Sequence, residues 1–159
     1  MKYQFKKAFT AFILAGAMLF NSLPVFAASS TVAEDMQYLN SYFHIGNISE
    51  TVTAEEFCSA LEKISDVELT YNIEYTGMIQ LLQPILQAAG MEELALTFPE
   101  QKYSKILSQH NIKLSLDTTA SQYAACALTT GLIEPKDLTS TTISKAQAVR
   151  VLTAVADAI

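Results

Sequence analysis

Two cysteines and two histidines are the side chains of this 159-residue chain best suited to covalent or metal chemistry. Cys58 and Cys126 could form a disulfide in an oxidising compartment. Both also lie among alanines and leucines at helical spacing, which is typical of buried thiols, so a disulfide and two separate thiols both remain open. His44 and His110 have no carboxylate or cysteine at metal-ligand spacing, and no hydrolase or phosphate-binding motif occurs. We therefore expect a non-catalytic protein with no metal and no other cofactor.

The tyrosines are the second group with chemical potential, because an exposed pair can stack against a sugar ring. Tyr38, Tyr103 and Tyr123 fall on apolar helical stripes, which predicts that they pack in the core. The other tyrosines beyond residue 27 are Tyr42, Tyr71 and Tyr75.

The start of one helix is specified in unusual detail at residues 52–57. Thr53 and Glu56 have the spacing of a capping box, in which Thr53 accepts from the Glu56 N–H and the Glu56 carboxylate accepts from the Thr53 N–H. Val52 and Phe57 occupy the two positions of a hydrophobic staple. The pattern predicts a helix that begins immediately after Thr53.

The same scheme recurs 91 residues later, at residues 143–148. Ser144 and Gln147 form the second capping box, and Ile143 and Ala148 stand at the staple positions. A capping box alone indicates only that a helix begins, but a second copy in a similar context favours an internal duplication.

The helix expected before each copy also repeats. Tyr38 stands eight residues before Gly46, and Tyr123 stands eight residues before Gly131. We interpret each pair of helices as one repeat: a helix ending near glycine, a loop, and a capped second helix.

Apolar periodicity predicts an all-α protein of about six helices in two to three helix-loop-helix repeats that share one core. Gly46, Gly90 and Gly131 are predicted to end helices. Pro84 is predicted to kink or restart the third helix, and Pro99 suits the first turn of the fourth. Two stretches alternate and predict short extended segments, at residues 67–71 and 112–116. The six helical stretches are residues 32–43, 57–64, 78–89, 103–107, 120–128 and 148–155.

These motifs resemble the S-layer homology family. Residues 124–133 are similar to the first half of that family's repeat, a helix ending in Gly-Ile-Ile, and residues 143–152 are similar to its second half, Ile-Thr-Arg-Ala-Glu-Phe opening a helix. The resemblance divides the chain into a first repeat at residues 28–75, a degenerate middle repeat at 76–116 and a last repeat at 117–159.

The resemblance implies a ligand site at the second copy of the motif. In the family, the motif arginine acts with an aromatic residue and polar neighbours to bind an acidic, often pyruvylated, cell-wall polysaccharide. Here Ala54 and Lys145 stand at the arginine position, and the chain has no tryptophan. The implied ligand residues are Ser144, Lys145, Gln147 and Tyr123. A solvated first-turn lysine is the alternative interpretation of Lys145.

The first 27 residues are predicted to be a secretory signal peptide. Three lysines precede an apolar run of about 13 residues, which is shorter than the roughly 20 that span a bilayer. Cleavage is expected after Ala27 or one residue later, and we expect no membrane span thereafter. The remaining chain has 7 basic and 16 acidic side chains, a net charge of −9. This charge argues against nucleic-acid binding.

Together these features predict a secreted, non-catalytic cell-surface module, from a Gram-positive bacterium, that attaches to the wall polysaccharide. Its partner on this hypothesis is the polymer itself. The alternative hypothesis is a repeat fold that has lost polysaccharide binding and acts as a protein–protein interaction or structural domain, with another surface protein as its partner.

Overall fold

The computed structural model describes residues 31–159, so the predicted signal peptide at residues 1–27 lies outside the described residues. This part of the chain is all-α, which confirms the predicted fold class, although it has seven α-helices rather than six. The additional helix, α4, is a short one in the middle repeat. The helices are α1 (Val32–Phe43), α2 (Ala54–Ser65), α3 (Leu82–Ala88), α4 (Glu92–Leu96), α5 (Glu100–Gln109), α6 (Thr118–Thr129) and α7 (Lys145–Ala158).

Two short 3-10 helices and two very short strands complete the described secondary structure. The first 3-10 helix is Met78–Leu81 and the second is Pro135–Thr139. Pro84 lies in the first turn of α3, so the proline restarts the helix after the first 3-10 helix, as one of the two predicted alternatives requires. The strands are β1 (Thr51–Val52) and β2 (Ile143–Ser144).

The two predicted capping boxes differ in the structure. Ser144 and Gln147 form the complete box, since Gln147 Oε1 accepts from the Ser144 N–H at 3.0 Å and Ser144 Oγ accepts from the Gln147 N–H at 3.3 Å. Thr53 also caps its helix, but the predicted return bond from Glu56 is wrong. The Glu56 carboxylate accepts instead from the N–H of Ser49 at 2.8 Å, because the preceding loop folds back over the start of α2.

The predicted glycine stops are correct at two positions and wrong at the third. Gly90 and Gly131 follow α3 and α6 with left-handed φ values of +68° and +76°, which favour glycine. Helix α1 ends earlier than Gly46, at Phe43, and His44 takes the left-handed position with φ of 55°. A non-glycine residue therefore terminates α1, at some cost in backbone strain.

The predicted extended segments at residues 67–71 and 112–116 form no strand. The two-stranded sheet of the described chain instead joins the two motif copies, β1 and β2. In both segments, apolar residues alternate with polar ones because one side of the chain faces the core. Leu69 is buried, and Tyr71, Ile112 and Leu116 pack against the core. They lack a neighbouring segment with which to form a ladder.

A single hydrophobic core is shared by all parts of the described chain, as predicted. Helix α1 packs chiefly on α7, α2 packs on both α7 and α3, and α6 packs on α3, α4 and α5. The two helices of one predicted repeat therefore find their main neighbours in other repeats. Burial is completed across repeat boundaries, so no repeat has a core of its own.

Candidate functional site

The two copies of the helix-start motif meet at one junction. Strands β1 and β2 are antiparallel, with Val52 opposite Ile143 and Thr51 opposite Ser144. Val52 and Ile143 occupy the same position in the two copies, so the local arrangement approximates a two-fold axis that passes between them. Both side chains are buried, and this pairing joins the segments predicted as the first and last repeats.

Lys145, which the resemblance places at the position of the motif arginine, lies at this junction. Its backbone N–H donates to the carbonyl oxygen of Glu50 at 3.1 Å. Its ammonium Nζ donates to Oδ1 of Asn47 at 3.0 Å and lies 3.7 Å from Oε1 of Glu50. The Glu50 side chain is almost fully exposed, so this ion pair contributes little to stability. Lys145 therefore contacts residues of the predicted first repeat, whereas the alternative interpretation expected its side chain to be surrounded by solvent.

Ser144 and Gln147, two more predicted ligand residues, are occupied by contacts within the chain. The Gln147 amide oxygen accepts from Ser144, and its Nε2 donates to Oδ1 of Asp137 at 3.2 Å. Both polar ends of the Gln147 side chain therefore have partners before any ligand is considered.

Sequence reasoning missed Asp137, which contacts the predicted ligand residue Gln147. Its side chain is fully buried, and its Oδ2 accepts from the Glu134 N–H at 2.7 Å and from Nη2 of Arg150. Nε of Arg150 also lies 3.8 Å from Oε1 of Glu134. This Asp137–Arg150 network ties the second 3-10 helix to α7. The available signal was that Arg150 is the chain's one arginine and lies on the helix with the motif.

Tyr123 does not join the other predicted ligand residues. It is buried, and its hydroxyl donates to Oε1 of Glu92 on α4 at 2.9 Å. Burial and the bond to Glu92 raise the pKa of Tyr123 to about 12. A ring enclosed in this way cannot stack against a sugar, so Tyr123 has the position predicted for a core residue.

The other two tyrosines expected in the core also pack against it, whereas Tyr42 is exposed. Tyr38 and Tyr103 pack against the core, and the Tyr38 hydroxyl donates to Asp157. Among residues 31–159, Tyr42 is the most exposed large hydrophobic side chain, at 72%, and its ring centroid lies 5.2 Å from that of Tyr38. This pair offers a small aromatic surface on α1.

Cys58 and Cys126 are separate, buried thiols in the structure, with no disulfide between them. Cys58 lies on α2 and Cys126 on α6, and these helices have different main neighbours. Burial raises the pKa of both thiols, that of Cys58 to about 12. Both thiols are therefore inert at neutral pH.

Two grooves on the surface of the described residues could receive a ligand. The neutral groove, of about 320 Å³, lies between the two 3-10 helices and is lined by Leu114, by residues 76, 77, 79 and 80, and by residues 138–141. The acidic groove, of about 390 Å³, lies at the end of α3 and includes Glu68, Glu92 and Glu93. Neither groove has a cation or a tyrosine among its lining residues.

Within residues 31–159, no three or more histidine, cysteine or acidic side chains are placed to hold a metal ion. No helix in the same range combines the length and apolar character needed to cross a membrane. In comparisons with known proteins, no family model, curated protein or solved structure matches the chain.

Proposed function

We propose that this chain is a secreted, non-catalytic module that attaches to the polysaccharide of a Gram-positive cell wall. The sequence supports the proposal through its leader and through its resemblance to S-layer homology repeats.

The observation that carries the proposal is the equivalence of the paired residues at the junction. Val52 and Ile143, which the duplicated motif places in register, lie opposite each other. An internal duplication accounts for this pairing, because two equivalent segments can meet about a local two-fold axis with matching positions opposite each other. The pairing therefore favours a repeat protein, and repeats presented in one rigid body suit a repetitive polymer better than a single small molecule.

In this proposal, Lys145 joins the first and last repeats, because its ammonium contacts Asn47 and Glu50 across the junction. Ser144 and Gln147 brace the last repeat, since they bond to each other and Gln147 donates to Asp137. The polymer is expected to contact surfaces that the junction positions, such as the grooves and the aromatic pair on α1.

Co-sedimentation of residues 28–159 with purified wall sacculi tests the proposal. We expect binding to sacculi that retain their polymers and little binding to sacculi stripped of them by hydrofluoric acid. A chain that stays in the supernatant with both preparations would refute wall attachment.

Lys145→Ala separates the junction role from a ligand role, with Lys113→Ala as the matched control at an exposed lysine. We expect Lys145→Ala to lower the free energy of unfolding by about 1 kcal/mol, the value of a typical hydrogen bond. Binding by the folded fraction should stay unchanged. A tenfold loss of affinity with an unchanged free energy of unfolding would instead indicate that Lys145 contacts the ligand.

A protein–protein interaction domain is the second candidate, favoured by the engagement of the motif residues within the chain and by the exposure of Leu94 and Leu96 at 51% and 47%. Cross-linking on intact cells tests it. Recovery of a protein adduct supports this function, and recovery of polymer alone counts against it.

A further inference from the structure

The neutral groove contains no ionisable side chain, although the chain around it is strongly acidic. Leu138 is buried and Ile79 is partly buried, and these two residues form its apolar floor. Hydroxyl groups of Thr76 and Thr141 and the amide of Gln80 stand at its exposed rim. The lining thus combines an apolar surface with uncharged hydrogen-bonding groups.

The groove is held in shape by close packing of its two walls. A Cβ atom added to Gly77 would lie 2.8 Å from the carbonyl oxygen of Ser140, so only glycine allows the walls to approach this closely. On the same wall, Oε1 of Gln80 accepts from the N–H groups of Thr76 and Gly77 at 3.1 and 3.2 Å. These bonds fix the Gln80 side chain and leave its Nε2 donor for a ligand.

The opposite wall is fixed by the Asp137–Arg150 network. Leu138 follows the buried Asp137 directly, and the hydroxyl of Thr139 donates to the Lys136 carbonyl at 3.0 Å. Both walls are therefore preorganised, which lowers the entropic cost of binding.

This chemistry selects one class of ligand. A polyanion gains nothing from a site without a cation, and the net charge of −9 opposes it. A cation would find no carboxylate in the lining. A pyranose ring without charged substituents presents an apolar C–H face and a rim of hydroxyls, which matches the floor and the rim, and the volume of about 320 Å³ falls in the range of ligand pockets.

We infer that the neutral groove binds an uncharged sugar unit of the wall polymer. The inference rests on the proposed function and names its ligand class, which differs from the acidic ligand that the family resemblance implies. It also places the contact away from the motif residues of the junction.

The test introduces a carboxylate at the groove rim and at a neighbouring position outside it. Thr76→Glu and Thr141→Glu alter the rim, and Thr142→Glu is the matched control, since Thr142 is exposed and does not line the groove. Binding to polymer-bearing sacculi is measured at 50 mM and 500 mM NaCl. We expect at least a tenfold loss of affinity in both rim variants, none in the control, and no change of wild-type affinity with salt.

A second readout separates failure of the inference from failure of the proposed function. Methyl resonances of Ile79, Leu114 and Leu138 are followed by NMR while neutral oligosaccharides released from the wall are added. Unchanged sacculus binding by the rim variants, or strong salt dependence, overturns the groove assignment and leaves wall attachment intact. Absence of wild-type binding with shifted methyl resonances overturns wall attachment alone, and absence of both overturns the two together.

Discussion

Replacing Arg150 by methionine isolates the energetic weight of the Asp137–Arg150 network. The Asp137 carboxylate is fully buried and would keep two uncharged donors, the Glu134 N–H at 2.7 Å and Nε2 of Gln147 at 3.2 Å. Stranding a buried charge in this way costs about 3–5 kcal/mol. The Arg150 side chain is 28% exposed, so water can enter its place, and we expect the lower limit, about 3 kcal/mol.

Urea unfolding followed by far-ultraviolet circular dichroism measures this loss. For a domain of this size it corresponds to a decrease in Tm of about 10 °C. Lys136→Met is the matched control, because the pair it removes, Lys136–Glu134, is exposed on both sides and is expected to be worth under about 0.5 kcal/mol.

The double variant Asp137→Asn/Arg150→Met completes a double-mutant cycle with the two single variants. The double variant buries no charge, so it should lose clearly less unfolding free energy than the two single variants lose in sum. Our account of the network would be refuted if Arg150→Met lost less than about 1 kcal/mol, or if the losses of the single variants simply added.

Three further predictions concern other parts of the fold. Thiol titration of the unfolded, unreduced protein should find both Cys58 and Cys126 free; detection of none would restore the disulfide. Asp66→Gly should stabilise the protein by about 1 kcal/mol in urea unfolding, because Asp66 has a left-handed φ of 57°, whereas Asp66→Ala should not. Burial and the bond to Glu92 raise the pKa of Tyr123 to about 12, so stability should fall as pH rises from about 10, where unfolded tyrosine ionises, to about 12. Tyr123→Phe should remove that part of the decline, and equal pH slopes for the two proteins would contradict it.

The local features of the fold were predictable because they depend on neighbouring residues. The apolar stripes placed the helices, the Ser144–Gln147 box was correct, and Gly90 and Gly131 end their helices as expected. The capping-box prediction at Thr53 failed because a more distant contact competed with a local one. The Glu56 carboxylate accepts from the N–H of Ser49 instead of from that of Thr53, and no local sequence pattern distinguishes these two donors.

The site was less predictable than the fold for the same reason. The motif drew attention to Ser144, Lys145 and Gln147, but it could not show that Lys145 contacts Asn47 and that Gln147 contacts Asp137. Asp137 and Arg150 are 13 residues apart and belong to no periodic pattern. The neutral groove is built from two 3-10 helices far apart in sequence, so only the folded chain brings its walls together.

The pairing of β1 with β2 also sets the order in which the chain can fold. Val52 finds its partner 91 residues later, and α1 lacks its main packing surface until α7 is present. Closing so long a loop is entropically costly and slow, so we expect β1 and α1 to pack stably only after α7 has been made.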